Sequence, residues 1–153
     1  MEVDQYVYFA LKSERMPAEE MATRLGLEAD EVTIRASKRL EPPHPAVHIW
    51  QINVPRSSRP VDDMITALVD RLEPYAPAIG VLAGELDRYE PGHAAVLQVV
   101  RFFGFHDEDS EEEQRAEAPT RPRPLGWHLD RRALDFLQTT RAELDVDEYG
   151  DTL

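Results

Sequence analysis

The stretch Glu41 to Pro55, EPPHPAVHIWQINVP, sets the architecture of this 153-residue chain. Pro42, Pro43 and Pro45 lack backbone N–H groups and hold φ fixed, so the first half cannot be helix or central strand; extended, polyproline-like chain is expected. From Ala46 to Val54 the residues alternate as a strand does. His48, Trp50, Ile52 and Val54 take one face, while Val47 and Ile49 share the other with Gln51 and Asn53. A strand that is apolar on one side and mixed on the other packs once and presents its second side to water or a partner.

Upstream, Gln5 to Ser13 sets Val7, Phe9 and Leu11 against Tyr6, Tyr8, Ala10 and Lys12, which predicts a first strand. Pro17, the acidic pair Glu19 and Glu20, the apolar positions Ala18, Met21, Ala22 and Leu25, and the terminator Gly26 predict a short helix. Glu31 to Ser37 alternates Val32, Ile34 and Ala36 with polar residues and is read as a second strand.

Downstream, Ser58 is the candidate N-cap of a helix in which Met64, Ile65, Leu68, Val69 and Leu72 repeat at helical spacing. Pro74 and Pro77 break it, and Ala78 to Leu86 predicts a further helical piece whose Gly80 and Gly84 permit close packing. Ala94 to Phe105 is apolar on both faces, as a central strand should be. Its neighbour in sequence is of opposite character: Asp107 to Glu113 holds six carboxylates and one serine. With the proline-rich run that follows, it predicts a solvated, mobile insertion over 106–124. Asp130 is a candidate N-cap of a last helix, with Leu129 stapling onto Leu134 and Ala133, Leu134, Phe136 and Leu137 as its buried stripe. Glu143 to Tyr149 alternates and predicts a charge-protected edge strand.

These elements make one domain, residues 1–153, of α+β class. The expected architecture is a mostly antiparallel sheet of about five or six strands with helices chiefly on one face and a ferredoxin-like order. The chain has no cysteine, which excludes thiol chemistry, disulfides and Cys-type zinc sites and favours a cytoplasmic location. No apolar run approaches the roughly 20 residues a membrane span needs. The formal charge is −13, of which residues 1–75 carry −4 and residues 76–153 carry −9. Such a surface repels phosphate backbones, so nucleic acid is not an expected partner, whereas a basic protein is.

Catalytic signatures are missing. No GxSxG, GxGxxG, phosphate-binding loop or HExxH occurs. His44 and His48 stand four apart, but on extended chain that spacing separates their Cα atoms by roughly 13 Å, too far for two imidazoles to share a metal. Asp145 to Asp151 (DVDEYGD) matches a calcium loop at its first positions but puts Tyr149 where a ligand is needed and ends before the bidentate glutamate. No catalytic residue, metal or cofactor is therefore assigned. Arg35, His44, His48 and Trp50 are the candidate binding residues, since stiff chain there meets a strand with an uncovered face. The alternative to a protein-binding module is a small-molecule or hydrolytic domain with a pocket at the same place.

The order of YVYFAL, the helix ending in LGL, the tryptophan strand HIWQINV, a long helix, an apolar strand and the closing LDVDEY resembles the bacterial domain-of-unknown-function family 4279 over about Gln5 to Tyr149. The resemblance implies a small intracellular α+β domain without catalytic motif. Some members look like immunity proteins of bacterial toxin systems, which implies that this chain too could occlude a basic partner.

Overall fold

The computed structural model describes residues 2–38, 41–90, 92–104 and 125–150, so the expected insertion at 106–124 lies outside the described residues. Within the described residues, five strands form one sheet: β1 (Glu2–Ser13), β2 (Glu31–Thr33), β3 (His48–Ser57), β4 (Ala95–Gly104) and β5 (Glu143–Gly150). Their spatial order is β2-β3-β1-β4-β5. Every neighbouring pair is antiparallel except β4 with β5, which run parallel. Read from β4 to β2, the first four strands have the 4-1-3-2 order of a split βαβ, ferredoxin-like core, and the helix before β5 returns the chain to extend one edge. The expected fold class is the observed one.

Among the described residues, four α-helices connect the strands: α1 (Ala18–Leu25), α2 (Val61–Leu72), α3 (Ala76–Tyr89) and α4 (Arg131–Thr140), with a 3-10 turn over Glu73–Tyr75. Each has a local cause. Gly26 closes α1 in the left-handed region at φ 67°, which costs glycine no Cβ clash. Asp130 caps α4, its Oδ1 accepting from the Ala133 amide at 2.8 Å. Two expectations fail at helix starts. Pro60, not Ser58, precedes α2, and no side chain caps it. Leu134 is 52% exposed, so it staples nothing; the buried stripe of α4 is Ala133, Phe136, Leu137 and Thr140.

The helices cover one sheet face. Val7, Phe9 and Leu11 of β1, Trp50, Ile52 and Val54 of β3, and Ala95, Leu97 and Val99 of β4 join Met64, Leu68, Leu72, Ile79 and Leu82 in a single core. Register explains the sorting, because Phe9 lies opposite both Ile52 and Leu97 and side chains opposite one another share a face. The helices also pack on each other. A Cβ on Gly80 of α3 would collide with the Thr139 carbonyl of α4, so only glycine fits that crossing. Among the described residues, no helix is long and apolar enough to cross a membrane.

The second strand is shorter than its alternation suggests. Extended pairing ends at Thr33, Ile34 is 59% exposed, and Ala36 turns at φ 58°. The proline approach supplies the reason. Rather than running extended, it folds back, the His44 carbonyl accepting from the Lys38 amide and the Pro45 carbonyl from the Ala36 amide, each at 2.9 Å. Proline cannot donate, but its carbonyl still accepts.

Candidate functional site

Of the four residues the sequence singles out, three have structural duties. Trp50 is fully buried, and its indole Nε1 donates to the Leu27 carbonyl at 3.1 Å, locking β3 to the loop after α1. A side chain so enclosed belongs to the core. His48 is half-buried and its Nδ1 accepts from the Arg35 amide at 3.0 Å, while Arg35 Nε donates to the Ala46 carbonyl at 2.9 Å. Arg35 and His48 therefore tie the proline loop to the sheet. His44 is exposed and shares neither of these bonds. Among the described residues, no group of three or more metal-ligating side chains is placed to hold an ion.

The more distinctive surface is the sheet face opposite the helices. In register, Glu31 pairs with Gln51 and Gln51 with Ala10; Asn53 pairs with Tyr8 and Tyr8 with Gln98; Gln98 pairs with Asp145, Val100 with Asp147, and Phe102 with Tyr149. Every one of these side chains thus points away from the core, and no described helix contributes to this side. Four aromatic rings run across it. Tyr8 stacks near Tyr6 with centroids 6.2 Å apart, Tyr6 tilts toward Phe102 at 6.3 Å, and Phe102 stacks on Tyr149 at 5.2 Å.

Charge is distributed unevenly around the row. Asp4, Glu31, Glu143, Asp145 and Asp147 lie on this face, against Lys12 and Arg56 among the described residues. Arg56 is already committed: its guanidinium lies 4.5 Å from the Phe102 centroid and pairs with Asp4. The amides hold the carboxylates in place, Asn53 Nδ2 donating to Glu31 at 3.1 Å and Gln98 Nε2 to Asp147 at 3.1 Å. Burial pushes the Tyr8 hydroxyl pKa up, and Tyr6, Asp147, Asp145 and Glu31 push it the same way. Carboxylates thus outnumber cations around the centre of the face among the described residues.

Arg101 is the other group that sequence reasoning passes over. It is 5% exposed at the end of β4, with Nε donating to Gln5 Oε1 at 3.0 Å, Nη1 to Glu148 at 2.9 Å and Nη2 to the Leu125 carbonyl at 2.7 Å. This is a clamp between β1, β4, β5 and the segment entering α4. The only sequence signal for it is a lone cation inside the apolar run of β4.

The aromatic face is half-legible in sequence. Alternation alone sets Tyr6 and Tyr8 on the face opposite Val7 and Phe9, and puts Asp145, Asp147 and Tyr149 together. What no spacing supplies is that these two strands, far apart in the chain, lie one strand apart in the sheet.

No curated protein and no solved structure matches the chain. The sequence profile of one family, described as a domain of unknown function (DUF4279), matches residues 3–151. With a match over nearly its whole length, the chain belongs to the DUF4279 family.

Proposed function

We propose that this chain is a non-enzymatic binding module that receives a basic protein on the sheet face to which no described helix contributes. The observation that carries this reading is the aromatic row Tyr8, Tyr6, Phe102 and Tyr149 with Glu31, Asp145 and Asp147 beside it. Aromatic rings supply contact area at small entropic cost, and carboxylates around them select cations and steer their approach. The formal charge of −13 supports the same polarity and disfavours nucleic acid. The reading includes a cytoplasmic location, supported by the lack of cysteine, and an immunity-type mode of action in which the face occludes a basic surface of its partner.

The test compares the wild-type protein with the double variant Asp145→Asn/Asp147→Asn, both immobilised and exposed to native lysate at low and high salt. Both substituted side chains are exposed, so the fold should survive. A basic protein held by wild type at low salt, released by salt and not held by the variant is the expected result. Equal retention by the two proteins, or no basic protein retained, overturns the proposal.

A further inference from the structure

The aromatic row contains its own precedent for a ligand. Within the row, Arg56 lies over Phe102 with its guanidinium 4.5 Å from the ring centroid and paired with Asp4, so a planar cation there is held by a ring and a carboxylate together. At the Tyr8 end the same two components recur. Tyr8 and Tyr6 present stacked rings inclined by 16°, and Glu31 stands at the edge of the same groove, oriented by the Asn53 amide at 3.1 Å. The groove has a volume of about 350 Å³, and its lining includes Tyr6, Tyr8, Glu31, Gln51, Asn53 and Arg56.

Resting on the binding function proposed above, we infer that the Tyr6/Tyr8 end of this groove is a receptor for one arginine side chain of the partner protein. Its guanidinium would stack on the tyrosine rings as Arg56 stacks on Phe102, with its N–H groups directed at the Glu31 carboxylate. Arginine fits better than lysine for two reasons. A flat, delocalised cation can lie against a ring while its edge donates in plane, which a tetrahedral ammonium cannot do. A guanidinium is also more weakly hydrated, so it gives up less when it enters a half-buried groove. The carboxylates Asp145 and Asp147, whose field already reaches the Tyr8 hydroxyl, add attraction without occupying the groove. Arg56 does not oppose the arrival strongly, because Asp4 neutralises it.

The experiment uses the full chain and three blocked tripeptides, Gly-Arg-Gly, Gly-Lys-Gly and the citrulline counterpart of the first, each titrated while backbone amide NMR shifts are followed. The arginine peptide is expected to shift the amides of Tyr6, Tyr8, Gln51 and Asn53 saturably, the lysine peptide to bind more weakly at the same amides, and the uncharged citrulline peptide to have no effect. Tyr8→Leu, which removes the ring, and Glu31→Gln, at an exposed position where folding is not at risk, should each weaken the arginine peptide by about tenfold, the size expected when a cation–π or charge-assisted contact is lost. Shifts scattered over the acidic surface, or unchanged in both variants, overturn the arginine receptor. They leave the basic-partner reading to be decided by its own retention experiment, so the two can fail separately. Equal shifts from the citrulline peptide also overturn it, since the cation would then play no part.

Discussion

Gly80 of α3 lies so close to the Thr139 carbonyl of α4 that no side chain can stand between them. The crossing of these two helices is set by backbone contact. Gly80→Ala must therefore push α4 off its seat, and an overpacking cost of about 1–3 kcal/mol is expected in chemical denaturation. Gly84→Ala is the control. Its new methyl would meet the end of the Arg141 side chain, which can swing away, so the helix-propensity gain of about 1 kcal/mol should leave it neutral or stabilised.

Truncating Trp50 tests the core against the candidate site. Trp50→Ala should cost about 3–5 kcal/mol, as large aromatic truncations in cores do. Trp50→Phe keeps most of the packing but orphans the Leu27 carbonyl, and should cost about 1–2 kcal/mol. If Trp50 is purely architectural, the Trp50→Phe protein binds a basic partner as wild type does; weakened binding at unchanged fold, read by circular dichroism and titration, would return this residue to the site.

The Arg101 clamp has an asymmetric cost. Arg101→Met leaves half-exposed Glu148 to water but takes the donor from buried Gln5 Oε1 and the Leu125 carbonyl, and a loss of about 1–3 kcal/mol is expected. Glu148→Gln keeps an amide oxygen that can accept and leaves the Gln5 and Leu125 bonds in place, so it should cost less. Urea melts of the two variants side by side give the ranking, and an inert Glu148→Gln would show that the pair contributes nothing.

Acid should weaken the fold through two specific carboxyls. Arg71 donates to both Asp30 oxygens at 2.6 and 2.7 Å and holds that carboxyl below its ordinary value of 3.8. For Glu90, burial opposes ionisation, but the Ser13 hydroxyl and the Glu14 and Arg15 amides overcome it and keep the group below 4.5. In both cases the folded state binds fewer protons than the unfolded chain. The stability they contribute is thus complete above the ordinary values and is lost as pH falls through the lower, folded ones. Asp30→Asn and Glu90→Gln should be less stable at neutral pH and show a flatter decline of melting temperature below pH 4.5. Parallel curves for variants and wild type would contradict this.

The period-2 and period-3.6 patterns are local properties, and wherever burial follows them the sequence is sufficient. The sorting of Val7, Phe9 and Leu11 from Tyr6 and Tyr8, the glycine stop at Gly26, the Asp130 cap and the strand around Trp50 are of this kind. Each depends on residues within one or two turns of the chain. What the tertiary structure decided depends on partners distant in sequence. Residues 34–36 leave the sheet because the Pro45 carbonyl claims the Ala36 amide; Leu134 stays in water because the seat of α4 on α3 turns Phe136 and Leu137 inward; Arg101 is buried because Gln5, Glu148 and Leu125 converge on it. The aromatic face is the same case on a larger scale. Alternation determines which residues of each strand could share a face, but only hydrogen-bond register between β3, β1, β4 and β5 brings Asn53, Tyr8, Gln98 and Asp145 into one line.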